Sequence, residues 1–274
     1  MSDESTEPPF IPPHVQRLTR DLRDAAANLS HDEARFLVDA YYIIQEDRKR
    51  SSNQITAMEA EPHRLLTWFF EQNKLLENQI KAALARYTDA QPIGQWLKSI
   101  YGIGPVLSAG LIAHIDINKA PTAGHIWNYA GLNPDVTWEK GQKRPWNAGL
   151  RTLCWKVGQS FMKFANADEC YYGKLYQQRK AYEVARNDRG GNAEKAKALL
   201  PNFKKTTDAF KHLSEGKLPP AQIDARARRW AVKLFLAHLQ AIWWEMETGT
   251  KPPKPYPIAI LGHAHEIPPP SAPK

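Results

Sequence analysis

Cysteine is almost missing from this chain. Cys154 and Cys170 are the two among 274 residues, and neither stands in a metal-ligand or redox spacing. That excludes a disulfide scaffold and a zinc finger, and it implies a reducing, cytoplasmic setting. Long apolar runs are missing as well, so no segment is long enough to cross a bilayer, and the acidic opening from Met1 to Pro9 is unlike a secretory signal. Nowhere do β-branched residues alternate with polar ones over a strand's length, which leaves an all-α protein. Without a strand before Gln91 there is no strand-borne aspartate to start the carboxylate site of a two-metal nuclease. Serine, finally, is absent between Ala109 and Gln159.

Positive charge is what the chain has in excess. With 37 Lys and Arg against 29 Asp and Glu the net charge is +8, which favours a polyanionic partner. The length allows one full core and an appendage. Residues 1–12 are acidic and proline-rich, a disordered lead-in by composition.

Residues 13–92 read as a helical arm. Ser30 and Glu33 have the spacing of a capping box. Behind them Ala34 to Ala60 puts Phe36, Leu37, Ala40, Ile44, Ile55 and Met58 on one side, while the polar run 45–53 makes the helix project from the body. Pro62 breaks that helix and can open the next. There Leu66, Phe69, Asn73, Leu76, Ile80, Ala83 and Tyr87 follow each other at alternating three- and four-residue steps, a short heptad seam whose Asn73 would fix register. The seam suits a hairpin within one chain or a coiled coil between two. Dimerisation through it is the expectation adopted.

Residues 93–250 form the second unit, joined to the arm at Gln91–Gly94. Gly102 and Gly104 flank one apolar residue and precede a helix of small and apolar residues, as in a helix-hairpin-helix turn, which aims free backbone N–H groups at a phosphate. A tight turn that merely needs glycine would look the same. Ile126 to Ala130 begins a short helix that Gly131 ends. The loop 133–149 is polar and basic, with Lys140, Lys143 and Arg144 interleaved with Trp138 and Trp146, and Asn147 near its end. In the next helix Leu150, Leu153, Cys154, Val157, Phe161 and Phe164 share one stripe and are core. Lys156 and Lys163 lie opposite, and Arg151 and Trp155 form a second surface stripe. Cations beside an indole suit nucleic acid, though a solvated lysine face with a half-buried tryptophan would share the pattern.

From Asp168 to Leu218 tyrosines alternate with basic residues including Lys174. After the turn at Arg189–Asn192 a second basic helix carries Lys195, Lys197, Lys204, Lys205 and Lys211. The pair reads as a hairpin over something acidic, or as an exposed insertion. Pro219–Pro220 starts the last helix, apolar through Trp230, Leu234, Phe235, Leu239, Ile242 and Trp243, and lined on its other side by Arg226, Arg229 and Lys233. Residues 251–274 form a proline-rich strap. His263 and His265 have a metal-capable spacing, but an ordinary tail explains them, and neither a metal nor a cofactor is expected.

Taken together, the run Gly102-Ile-Gly-Pro-Val-Leu-Ser-Ala-Gly-Leu-Ile-Ala-His-Ile-Asp, then Tyr129-Ala-Gly-Leu-Asn-Pro, the basic loop and Gly149-Leu-Arg-Thr-Leu resemble the C-terminal domain of bridge-RNA-guided DEDD transposases. The same region is similar to the Nop domain of box C/D ribonucleoproteins, which binds a kinked guide RNA. Residues 95–165 carry the likeness, with a looser match from Asp224 to Leu239. Two departures stand out. The RNase H-like DEDD domain of those transposases has only helices in its place here, and their recombination serine, after the "GL.P" motif, falls in the serine-free stretch. A short chain of this kind is similar to the nuclease-free TIGR-associated (Tas) proteins of dual-guide RNA systems.

That resemblance implies a homodimeric ribonucleoprotein that binds a small guide RNA and recognises target DNA by base pairing, without a catalytic residue. Gly102, Gly104 and the loop from Lys140 to Arg151, with Trp146 and Asn147, would grip the guide. Trp155, Lys156, Lys163, Lys174, Arg226, Arg229 and Lys233 complete the expected nucleic-acid surface. A reduced transposase or recombinase, borrowing a nuclease in trans and using Ser108 or Thr137, is the competing expectation. A helical scaffold binding duplexes without specificity is a third.

Overall fold

The computed structural model describes residues 17–58, 63–253 and 267–270. The lead-in 1–12, the Glu61–Pro62 break, His263 and His265 lie outside these. Among the described residues there is no strand, and the chain runs through α1 (Arg20–Ala25), α2 (His31–Ala57), α3 (Arg64–Asp89), α4 (Gly94–Ser99), α5 (Pro105–His114), α6 (Ala123–Tyr129), α7 (Ala148–Lys163), α8 (Tyr171–Asp188), α9 (Ala193–Leu199), α10 (Asp208–Ser214) and α11 (Pro220–Thr248). No helix among the described residues is long and apolar enough to cross a membrane. Cys154 and Cys170 are free thiols, both buried.

Local chemistry sets the helix ends as the sequence reading has it. The Ser30 hydroxyl accepts the Glu33 amide and the Glu33 carboxylate accepts the Ser30 amide, so two orphan donors of α2 are satisfied reciprocally. α11 opens at Pro219–Pro220 and stops at Gly249, whose φ of +67° is the left-handed cap that glycine takes without a steric penalty.

α5 lies at the centre, packed on α2, α3, α4 and α7, with Ala109, Leu111 and Ile112 fully buried. The core continues through an aromatic cluster on which α4, α7, α8 and α11 converge. Trp96 stacks on Phe235 at 5.9 Å, Phe161 on Tyr172 at 5.0 Å, and Tyr172 meets Phe235 edge-on at 5.3 Å. Of the predicted stripe on α7, Leu150, Leu153, Cys154, Val157 and Phe161 are all buried.

α2 and α3 pair within the chain. The apolar side of α2 differs from the expected one: Ala34, Val38 and Tyr41 face inward, while Phe36 is 72% exposed. The stripe of α3 changes character along its length. Ala83 and Tyr87, near the body, are buried, whereas Phe69 and Leu76 are exposed, as are Leu65 and Trp68, which lie outside the predicted stripe. Within the chain Asn73 sets no register between α2 and α3, because its side chain donates to the Phe69 carbonyl of its own helix. The hairpin is held midway by the nearly buried Glu77, which takes Arg48 as ion partner and Gln45 as a 3.0 Å hydrogen-bond donor.

The second basic helix expected after Asn192 is two. Pro201 follows α9 in a short 3-10 turn, and Thr207 then caps α10 by accepting the Phe210 amide. Proline removes the amide that a continuous helix would have used. Ala196, Leu213, Leu218 and Ile223 give this segment a small core of its own. The described part of the strap returns to the body: the Ile267 carbonyl bonds His238 Nε2 at 2.8 Å and the Pro268 carbonyl accepts the Tyr171 hydroxyl at 2.7 Å.

Candidate nucleic-acid interface

The loop between α6 and α7 is built on Gly131. Its φ is +64°, and a Cβ there would stand 2.7 Å from the Trp146 ring, so the indole packs directly on bare backbone. Trp146 meets Trp138 edge-on at 6.4 Å, Arg144 lies 5.2 Å from the Trp138 centroid, and Arg151 lies 4.5 Å from that of Trp146. Cations and indoles thus alternate along the loop, each ring holding a guanidinium by its quadrupole. Asn147 ties loop to helix. Its amide N–H donates to the Tyr129 carbonyl at 2.8 Å, its side-chain N–H to the Tyr129 hydroxyl at 3.0 Å, and its side-chain oxygen caps α7 through the Leu150 amide at 2.8 Å. Lys140, Lys143 and Arg144 are exposed.

Beside the loop a groove separates α7 from α11. It encloses about 290 Å³ and is lined by Arg151, Trp155, Arg228 and Arg229 over a floor that includes Cys154 and Gly158. Trp155 is 59% exposed, so its ring offers a stacking surface. Partial desolvation, then Arg226, Arg151 and Arg228, push Arg229 below its ordinary pKa. Arginine stays protonated regardless, so the crowding is a standing demand for anionic counter-charge.

Buried carboxylates aim the other arginines. Glu183, almost wholly buried, binds Arg179 at 2.5 Å and Arg226 at 3.2 Å. Asp224 binds Arg228 at 2.7 Å and Lys180 at 2.9 Å, and accepts the Tyr176 hydroxyl at 2.5 Å. Burial alone would raise Asp224, but Tyr176, Lys180 and Arg228 together hold its carboxyl below the ordinary range. Lys195 of α9 extends the basic surface: desolvation, Arg226 and Arg229 all lower its pKa, which places it in the same field.

Several predicted residues lie elsewhere. Gly102, at φ +94°, sits against the other end of α7, where its carbonyl accepts the Ser160 hydroxyl at 2.5 Å. Nine residues of helix, about 13 Å, separate Ser160 from Arg151. Gly104 caps α5 without a side-chain partner and faces open space. Lys163 lies at that end too, 5.5 Å from the Phe164 ring, and Lys174 is paired with Asp168 at 3.1 Å. Lys156 turns to the arm, its ammonium 3.6 Å from the Tyr42 ring, where burial and Lys49 lower its pKa. Lys233 lies 4.3 Å over Trp127, half-buried and lowered by desolvation. Ser108 is fully buried, its hydroxyl without a hydrogen-bond partner, whereas Thr137 is exposed in the loop.

Arg228 lines the groove and Lys195 stands in the field of Arg226 and Arg229 beside it, neither having been singled out as a site residue. The four-residue step from Asp224 to Arg228 is the signal for the first. Nothing local marks Lys195, which arrives through the fold of α9 against α11.

Fold and groove together define an all-helical protein with an arginine- and tryptophan-lined surface. Residues 94–169, from α4 to the end of the α7–α8 turn, match the model of the transposase IS116/IS110/IS902 family, so this stretch is transposase-related. No curated protein and no solved structure matches the chain.

Proposed function

We propose that this protein binds a small guide RNA through the α7–α11 groove and the adjoining loop, forms a dimeric ribonucleoprotein, and recognises DNA by pairing with the bound RNA without cutting it. The observation that carries the proposal is the convergence of Arg151 and Arg229 beside the exposed ring of Trp155. Such a site takes backbone phosphates on its guanidinium groups and an unstacked base on its indole. The similarity of residues 94–169 to a transposase family supports a nucleic-acid partner. Dimerisation is supported by the apolar far end of α3, where Leu65, Trp68 and Phe69 are exposed on one side of the arm.

The test is to purify the protein from cells carrying its native flanking DNA and sequence whatever RNA accompanies it. One discrete small RNA, lost on Arg151→Ala with Arg229→Ala, and retention of a matching duplex by the loaded complex without strand breaks are the expected results. Bulk nucleic acid of no preferred sequence would overturn the proposal.

The same family match favours a second reading, a transposase-derived protein acting in strand transfer with a nuclease partner. It requires a nucleophile at the surface, which the buried Ser108 does not supply. Covalent DNA adducts that disappear on Thr137→Ala would favour it.

A further inference from the structure

A second cavity opens between the start of α2, the end of α5 and α6. It encloses about 540 Å³, within the roughly 300–1,000 Å³ of small-ligand pockets. Its wall includes Ala113, Ile115, Ala120 and Ile126, three of them completely or almost completely buried, so the back is apolar. Its rim is cationic and aromatic. Lys119 is held by Asp116 at 2.9 Å in an ion pair so exposed that an incoming anion can displace it cheaply. Arg35 is fixed by donating to the Ala113 carbonyl at 3.1 Å and by pairing with Asp32. His125 bonds the Thr122 hydroxyl at 2.8 Å.

Tyr129 stands at the mouth, 44% exposed. Through Asn147 it is tied to the loop and to the first turn of α7, so hydrogen bonds link the mouth of the cavity to the helix that carries Arg151. His114 lines the cavity behind it, its ring so close to α7 that a Cβ on Gly149 would come within 2.9 Å. Burial, then Arg35, lower the His114 pKa, so its imidazole is neutral at pH 7 and can donate or accept.

The geometry points to a pocket for one nucleoside monophosphate unit, with the base against the apolar wall beneath Tyr129 and the phosphate at the rim near Lys119 and Arg35. The unit is an unstacked nucleotide of the bound RNA, an assignment that rests on the RNA reading above; a free nucleotide has the same chemistry. Single-stranded RNA is commonly read by splaying out a base and stacking it on an aromatic side chain.

The test has two arms. In the first, equilibrium dialysis of the RNA-free protein with each of 5′-AMP, 5′-GMP, 5′-CMP and 5′-UMP should show binding that falls about tenfold in Tyr129→Ala and in Lys119→Glu. The Lys119 side chain is 84% exposed, so its replacement leaves the fold intact where Tyr129→Ala could disturb α7. In the second, 2′-hydroxyl acylation of the RNA-loaded complex should reveal an unpaired nucleotide whose reactivity rises in Lys119→Glu and not in Lys211→Glu, a change at an exposed side chain of α10 outside groove and cavity. Mononucleotide binding that ignores both cavity variants, together with an unchanged acylation pattern, overturns the pocket. Mononucleotide binding that responds to both variants in a protein that never carries RNA keeps the pocket, assigns it a free nucleotide, and defeats the RNA reading alone.

Discussion

The guanidinium of Arg151 lies 4.5 Å from the ring centroid of Trp146. Trp146 belongs to the loop and Arg151 to α7, and the same indole packs against Gly131. One ring therefore fixes where the loop can stand and which way the first arginine of the groove points. The order of the loop and the aim of Arg151 are coupled through this contact.

Removing the groove arginines should separate function from stability. Because Arg229 is surrounded by Arg226, Arg151 and Arg228, replacing Arg151 and Arg229 by alanine relieves like-charge repulsion. The unfolding free energy is expected to hold within about 0.5 kcal/mol or rise, as for surface changes, while RNA affinity drops. Urea titration beside filter binding measures both, and a large loss of stability would contradict the assignment.

Gly131→Ala should damage the loop directly. The substitution forces a side chain into positive φ and against Trp146, at a cost of about 1–3 kcal/mol. Tryptophan fluorescence should shift as Trp146 leaves its seat, and the melting temperature should fall. An unshifted spectrum would mean that the indole has room to spare.

Reversing charge at Lys143 and Arg144 together should lower RNA affinity and flatten its salt dependence. Both side chains are exposed, so the effect is electrostatic and leaves the core alone. Loss of two phosphate contacts reduces the slope of log affinity against log salt by about 1.4 on a single strand. A slope equal to that of the unmodified protein would remove the loop from the interface.

Acid should loosen the arm. Burial by itself would raise the Glu77 pKa, but hydrogen bonds from Arg48, Gln45 and Tyr41 together hold it below its ordinary 4.5. A carboxyl depressed on folding contributes stability above its unfolded pKa and loses that contribution as pH falls through the folded value. The loss therefore begins near pH 4.5 and deepens below it. Glu77→Leu, which leaves the part-exposed Arg48 without its partner, should cost about 2 kcal/mol at neutral pH and abolish that acid dependence. Denaturant melts between pH 3 and 7 would show it.

Trp68→Glu should shift a dimer toward monomer in sedimentation velocity without altering helix content. The ring is 55% exposed in the single chain, so nothing inside the fold resists the change. An unchanged sedimentation coefficient would leave the arm as a hairpin and no more.

Much of the fold was legible because it depends on residues close in sequence. The capping box at Ser30, the stop at Gly249, the glycine end of α6 and the core stripe of α7 are all local patterns. The phase of α2 was not, since Phe36 and Val38 are both good apolar candidates and only the position of α3 and α5 decides which one is covered. Pro201 was the visible sign that the basic segment after Asn192 breaks in two.

For the candidate site the division falls differently. Charge, the loop's indoles and the stripe of Arg151 and Trp155 are properties of the chain itself, as is the absence of serine between Ala109 and Gln159. Which cations remain free to meet a ligand is a property of the fold. Lys156 is spent on Tyr42 and Arg226 on the buried Glu183, whereas Arg151 and Arg229 are brought into one groove by the packing of α7 on α11. A charge acts over a few ångströms, and the neighbours at that range come from helices distant in sequence. Composition determined the excess of positive charge, and tertiary structure alone decided where it gathers.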